Sequence, residues 1–170
     1  MENPSVAVLL GSKSDEPKVQ GTKDTLDKLE VPYVMRVMSA HRTPARVADF
    51  VERAPEQGIK VFIAAAGGAA HLAGQVAAHT TLPVVGIPVE GGALNGLDAL
   101  YSTVQMPGGM PVATGGIGKG GAKNAALLAV QILAVENHPL QEKIASFREQ
   151  QRQQVIEDDE ELQRGKNQTK

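Results

Sequence analysis

The 170-residue sequence contains no cysteine and no tryptophan, and only 3% of its residues are aromatic. Without cysteine, the chain can form no disulfide bond and use no thiolate in catalysis, which fits a cytoplasmic location. The core must therefore be built from Ala, Val, Leu and Ile packed closely against glycine. At this length and with 42% hydrophobic residues, we expect a single domain with one core.

The sequence also lacks an excess of positive charge and a long apolar run. Its formal net charge is −2, and its Lys and Arg residues are scattered, so we expect no nucleic-acid partner. Residues 1–4 carry no basic segment, and the apolar stretch after them is too short for a signal peptide or a membrane span. We therefore expect no membrane contact.

Short apolar runs alternate with segments of helical periodicity along the first half of the chain. The runs that predict strands are 6–10, 33–38, 60–65 and 83–87, with a short extended piece at 111–114. Strands that alternate with helices form βαβ units and a parallel sheet. The predicted fold class is α/β, a three-layer αβα sandwich of flavodoxin-like or Rossmann-like type with a central parallel sheet.

The second half of the chain is more varied. Residues 90–121 are rich in glycine and include one predicted helix near 96–104; a loop-rich stretch of this length usually carries function. A predicted helix at 122–135 is apolar on nearly every side, more than a monomer of this size can readily bury. We expect a core at 5–135, a C-terminal helical extension at 136–164 and disorder at 165–170.

The loop after the first strand, Gly11-Ser12-Lys13-Ser14-Asp15, opens the first predicted helix. Backbone N–H groups and the helix dipole favour an anion there, and the hydroxyls of Ser12 and Ser14 can add hydrogen bonds to a phosphate. Ser14 or Asp15 could equally serve as a helix cap, and both interpretations can hold. The Asp15 carboxylate suits ribose hydroxyls, so the loop indicates a sugar phosphate.

A histidine and an arginine follow the second strand in Ser39-Ala40-His41-Arg42-Thr43-Pro44. His41 is a candidate acid or base, because the ordinary pKa of imidazole is about 6.5. Arg42 can bind phosphate oxygens with its planar guanidinium. A loop histidine in general more often has no such role, but the carboxyl edge of a parallel sheet is where open α/β folds bind ligands.

A third loop, Gly67-Gly68-Ala69-Ala70-His71, offers small residues for a flat ligand and a second histidine, although its glycines could serve tight packing alone. Residues 115–120 resemble an ATP-binding P-loop, but Lys119 is followed by glycine in place of Ser or Thr. The histidines also lack metal-chelating spacing. We therefore expect no ATP and no metal.

The three motifs, with Leu72 after the third, resemble in order and spacing the bacterial 5-(carboxyamino)imidazole ribonucleotide mutases of purine biosynthesis, which are related to the AIR carboxylases. The resemblance extends from residue 5 to about residue 135. It implies an isomerase that uses no cofactor and moves a carboxylate from the exocyclic nitrogen of a ribonucleotide substrate to ring carbon 4. In the mechanism proposed for the family, carbon dioxide is released and recaptured inside a closed pocket.

The resemblance also implies roles for individual residues. His41 and His71 are the implied catalytic residues, with His41 matching the histidine that moves the proton. Ser12, Ser14 and Arg42 match the phosphate contacts, and Asp15 matches the ribose contact. The other implied substrate-binding residues are Ser39, Ala40, Gly67, Gly68, Ala69, Ala70 and Leu72. Family members form homo-octamers with active sites at subunit interfaces, and the C-terminal helix is expected to extend to neighbouring subunits.

The sequence departs from the usual family pattern in its loops. Ala73 stands where proline is typical, Ala45 stands where aspartate is common, and Gly91-Gly92 adds freedom to a loop that is less rich in glycine in relatives. Two alternatives stay open. One is a carboxylase that uses aminoimidazole ribonucleotide and carbon dioxide directly, and the other is a non-catalytic, flavodoxin-like nucleotide-binding module.

Overall fold

Strands and helices alternate along residues 3–167, which are the residues that the computed structural model describes. The strands are β1 (Val6–Leu10), β2 (Tyr33–Val37), β3 (Val61–Gly67), β4 (Val84–Val89) and β5 (Ala113–Thr114). The α-helices are α1 (Gln20–Lys28), α2 (Pro44–Arg53), α3 (Leu72–Ala77), α4 (Leu97–Val104), α5 (Gly118–Ala134) and α6 (His138–Asn167). Two short 3-10 helices, Lys13–Val19 and Ala54–Gln57, precede α1 and follow α2.

The strands form one parallel sheet in the order β2-β1-β3-β4-β5. This is the order of flavodoxin-like folds, in which the chain passes from β1 to β2 and then crosses to the other side of β1. Leu10 pairs with Ala65, so the carboxyl ends of β1 and β3 lie side by side. The structure confirms the predicted α/β class, and the strand order reverses where such sheets bind ligands.

Both faces of the central strands are buried. All residues of β1 and the first five of β3 are at most 2% exposed, which explains why both strands are unbroken apolar runs in the sequence. On one face, Phe62 belongs to the same buried cluster as Val51 of α2 and Val76 of α3. α1 and α5 lie beside each other, where the Thr22 hydroxyl donates to the Ala122 carbonyl over 2.8 Å.

Some element boundaries differ from the sequence predictions. The first helical segment begins as a 3-10 helix because Pro17 has no N–H to complete an α-helical turn there. α5 begins at Gly118, ahead of the predicted residue 122. α6 continues to Asn167, past the predicted end of the helical extension at residue 164. Residues 168–170 lie outside the described residues, so disorder in that part stays a prediction.

The chain divides into two compact units, residues 1–133 and residues 134–170. The first unit contains the sheet and nearly all of α1 to α5. The second contains α6, where Gln141 Nε2 donates to the Ala134 carbonyl and the side chains of Val155 and Leu162 are exposed. No helix of residues 3–167 is both long enough and apolar enough to cross a membrane. The single-domain organisation stays a prediction.

Candidate active site

A cavity of about 480 Å³ opens at the carboxyl edge of the sheet, where the loops after β1, β2, β3 and β4 meet. This volume is typical of small-molecule sites. The residues that line the cavity are Gly11, Ser12, Asp15, Lys18, Ser39, Ala40, His41, Arg42, Ala66, Gly67, Gly68, Ala69, His71, Leu72, Val89, Glu90, Gly91, Gly92 and Asp98. The three sequence motifs therefore meet around one space.

All the predicted site residues line this cavity except Ser14 and Ala70. Ala70 is only 2% exposed and lies in the protein interior. Ser14 is exposed, and its hydroxyl donates to the hydroxyl of Ser12, which lines the cavity, over 2.8 Å. The roles of the lining residues stay predictions.

Ser12 caps the first helical segment, a position that the sequence assigns to Ser14 or Asp15. The Ser12 hydroxyl accepts a hydrogen bond from the Ser14 backbone N–H, and Asp15 Oδ2 accepts one from the Ser12 backbone N–H at 3.0 Å. This reciprocal pair is a capping box. The box engages one carboxylate oxygen of Asp15, and the other oxygen can accept a hydrogen bond from a ligand.

Burial sets the electrostatics of Asp15, which is 7% exposed. Desolvation raises the pKa of its carboxyl above the ordinary value, because the charged form loses contact with water. The hydrogen bond from Ser12 and the positive charges of Lys18 and Arg42 oppose this rise. Asp15 is thus a partly desolvated acceptor beside two cations.

Arg42 connects the loops after β2 and β1. Its Nη2 donates to the Gly11 carbonyl over 3.0 Å, and its backbone N–H and Nε both donate to the Ser39 hydroxyl. A guanidinium carries five N–H donors, so these bonds fix its position and leave further donors for an anion. The guanidinium is therefore oriented next to the Ser12 loop before any ligand binds.

The two histidine rings contact each other. Nε2 of His41 lies 2.8 Å from Nδ1 of His71, with the ring planes at 74°. One of these nitrogens must carry the proton and the other must be bare, so the contact cannot form between two fully protonated rings. Both histidines are exposed to solvent in the single chain. The pair can therefore pass one proton between the rings.

The glycines of the third loop have different roles. A Cβ on Gly67 would lie 3.2 Å from the Val89 carbonyl oxygen, so this glycine permits close packing of β3 against β4. Gly68 has a φ of +63°, and a Cβ there would meet nothing within 4 Å. Gly67 thus serves packing, whereas Gly68 provides a left-handed turn beside open space.

The loop-rich stretch 90–121 is expected from the sequence to carry function, but no site residue is assigned there to the loop after β4 or to two residues near it. β4 continues to Val89, past the predicted end at residue 87, so Glu90, Gly91 and Gly92 follow it directly and line the cavity. The rule that ligands bind at the carboxyl edge of the sheet could have identified this loop. Lys18 and Asp98 also line the cavity; no motif points to Lys18, and Asp98 lies in the stretch covered by the family resemblance without a role assigned to it.

Known proteins resemble this chain over most of its length. The AIR carboxylase family matches residues 5–154. A protein named N5-carboxyaminoimidazole ribonucleotide mutase from Bacillus subtilis (strain 168) is 54% identical over 159 residues, which are 94% of this chain and 98% of the relative. A protein of the same name from Escherichia coli (strain K12) is 51% identical over 156 residues, which are 91% of this chain and 92% of the relative. The crystal structure of Treponema denticola PurE superposes with a TM-score of 0.84 at 29% identity, covering 94% of this chain and 98% of that one.

Proposed function

The chain belongs to the AIR carboxylase family, and we infer that it is an enzyme of the mutase type in purine biosynthesis. It converts 5-(carboxyamino)imidazole ribonucleotide into the isomer that carries the carboxylate on ring carbon 4. The observation that carries this inference is the meeting of the Ser12 loop, Arg42 and the two histidines around one cavity, in a chain about half identical to proteins named for this activity. The use of no cofactor and the cytoplasmic location stay predictions.

Binding of the ribose phosphate is assigned to the Ser12 loop and its neighbours. The phosphate lies at the start of the 3-10 helix, with the hydroxyls of Ser12 and Ser14 and the guanidinium of Arg42 as donors. Asp15 accepts from the ribose hydroxyls through the oxygen that the capping box leaves. Supporting this division, one oxygen of the buried Asp15 carboxylate is engaged by the Ser12 backbone N–H, whereas the Arg42 guanidinium is held next to the loop by the Gly11 carbonyl.

The imidazole end of the substrate lies against His41, His71 and the loop of residues 67–70. The bond between the exocyclic nitrogen and the carboxylate carbon breaks, and His41 delivers a proton to that nitrogen as carbon dioxide leaves. Ring carbon 4 then bonds to the carbon dioxide, and His41 takes the proton that carbon 4 loses. One group that alternates between acid and base closes the cycle. His71 orients His41 and shares its proton, which their 2.8 Å contact supports.

We expect the purified protein to form the 4-carboxylate from the carboxyamino ribonucleotide without ATP, metal or added bicarbonate. Product is followed by ultraviolet absorbance against an enzyme-free sample, which measures the spontaneous reaction. A rate no higher than that sample would contradict the mutase assignment. A second arm supplies aminoimidazole ribonucleotide with carbon dioxide, and faster turnover there would favour the carboxylase. Binding without turnover in either arm would favour the nucleotide-binding module.

A homo-octamer with shared active sites is the assembly that we propose. A reaction that holds carbon dioxide needs a pocket closed to water, yet the His41–His71 pair and residues 67–69 are exposed in one chain. α4 and the loop before it also expose apolar side chains, including Leu94 at 59% and Tyr101 at 56%. On α5, residues 127, 128 and 132 are apolar and only half-buried. These surfaces suit contact with further copies of the chain.

Light scattering should give a mass about eight times the 17.9 kDa of one chain. Tyr101→Glu should lower both the mass and the turnover, because it places a charge in the proposed contact. A monomeric wild-type protein with full activity would contradict the shared site.

A further inference from the structure

Lys18 contacts the loop that follows β4. Its Nζ donates to the Glu90 carbonyl over 2.6 Å, although the two residues are 72 positions apart in the sequence. Both residues line the cavity, as do Gly91 and Gly92. The contact therefore joins the first helical segment to the opposite wall of the site, and neither residue belongs to the three sequence motifs.

The loop of residues 90–92 lies at the surface. All three residues are exposed, and Gly92 has a φ of +64° with no atom near enough to meet a Cβ. Two successive glycines leave the backbone free to take many conformations. A Cβ on Gly91 would lie 3.6 Å from Lys18 Nζ, so the ammonium lies against this backbone as well as bonding to Glu90.

The Glu90 side chain has a second neighbour. The Glu90 side chain lies against Gly118, where a Cβ would come within 2.6 Å of Glu90 Oε1. Gly118 is the first residue of α5. Glu90 therefore has its carbonyl bonded to Lys18 and its side chain close to the backbone at the start of α5. Removal of Lys18 would leave the cavity side of the loop without this hydrogen bond.

We propose that Lys18 is a positioning residue that holds residues 90–92 as a wall of the cavity and so retains carbon dioxide during the reaction. The proposal rests on the proposed mutase function. Carbon dioxide is neutral, so charges bind it weakly, and the walls of the site must keep it beside its acceptor.

Isotope retention tests this proposal directly. The substrate carries carbon-13 in its carboxylate, the solution contains excess unlabelled bicarbonate, and mass spectrometry measures the labelled fraction of the product. A charge-assisted hydrogen bond can shift an equilibrium by about tenfold. We therefore expect Lys18→Met to raise the ratio of escape to retention by about tenfold, with KM changed by less than about twofold because Lys18 holds the wall rather than the substrate.

Two further variants serve as controls. Lys18→Arg keeps both the charge and the donors, and it should restore most of the retention. Lys60→Met removes an exposed lysine just before β3, at the opposite edge of the sheet, and should retain the label like the wild type. Thermal unfolding of every variant is measured, and Lys18→Gln replaces Lys18→Met if that variant does not fold.

The outcomes distinguish failure of the Lys18 proposal from failure of the proposed mutase function. Unchanged retention in a folded Lys18→Met protein overturns the role of Lys18. A raised KM with unchanged retention also overturns it, since Lys18 would then bind the substrate itself. If the wild type forms no 4-carboxylate, the mutase function fails, independently of Lys18.

Discussion

Replacing His41 by asparagine should lower kcat by about 10²- to 10⁴-fold, the usual contribution of a general acid or base. Asparagine is polar and fits the space, but it cannot take up and release a proton near neutral pH. Binding should change little, because the proposed phosphate and ribose contacts involve other residues. Steady-state kinetics with the carboxyamino ribonucleotide and calorimetric titration with the 4-carboxylated product measure the two effects separately.

His79 provides a matched control for this substitution. Its ring contacts Glu52 and Gln75, and it does not line the cavity. His79→Asn should therefore keep the turnover of the wild type even if it loses some stability. If His41→Asn retained turnover within about threefold of the wild type, the loss expected on removing a general acid or base would be absent, and the proton transfer would belong to another group.

His71 extends the same argument, because its Nδ1 faces His41 Nε2. The sequence predicts that both histidines reach one crevice, since each follows a strand of a parallel sheet. It cannot predict that the rings touch, because that contact depends on the conformations of two loops and two side chains. The contact between the rings is therefore a structural result, whereas the choice of His41 as acid or base comes from the sequence.

The central strands β1 and β3 were predictable because they are buried on both faces. Residues 6–10 and 61–65 contain no polar side chain, and such runs fit the centre of a parallel sheet. The start of the first helical segment was assigned to Ser14 or Asp15, whereas Ser12 caps it; the spacing of Ser12 and Asp15 fits a capping box, and Pro17 disfavours a regular α-helical start, so this position was accessible to local rules. These local rules involve residues only a few positions apart.

Contacts between distant segments were harder to predict from the sequence. The Lys18–Glu90 hydrogen bond joins two residues that lie outside the three sequence motifs, and no local pattern fixes it. The exposure of His41 and His71 in the single chain is a second feature that the sequence did not predict. The proposed chemistry requires a closed pocket, but closure depends on contacts with other copies of the chain. The sequence indicates such contacts only through residues 122–135, which are more apolar than one chain of this size can readily bury.

Replacing Arg42 by alanine should weaken binding of the 4-carboxylated product by about 2 to 4 kcal/mol, or roughly 30- to 1000-fold in Kd. The guanidinium is already oriented by the Gly11 carbonyl and the Ser39 hydroxyl. The phosphate therefore meets the arginine charge without the entropic cost of ordering a long side chain. Alanine has neither the charge nor the N–H donors of arginine, so the phosphate keeps only its other donors. Calorimetric titration measures the change, with Arg46→Ala as a control from the exposed start of α2.

A ligand without the phosphate decides whether Arg42 acts on the phosphate or only on the loops. If Arg42 contacts the phosphate, the matching ribonucleoside should bind to the wild type and to Arg42→Ala with similar Kd, because the group that distinguishes the two proteins is gone. If Arg42 only ties Gly11 to Ser39, the substitution should weaken nucleoside and nucleotide by the same factor. The double comparison isolates the pairwise contribution of arginine and phosphate from any change in loop structure. An equal loss for both ligands would remove Arg42 from the phosphate site.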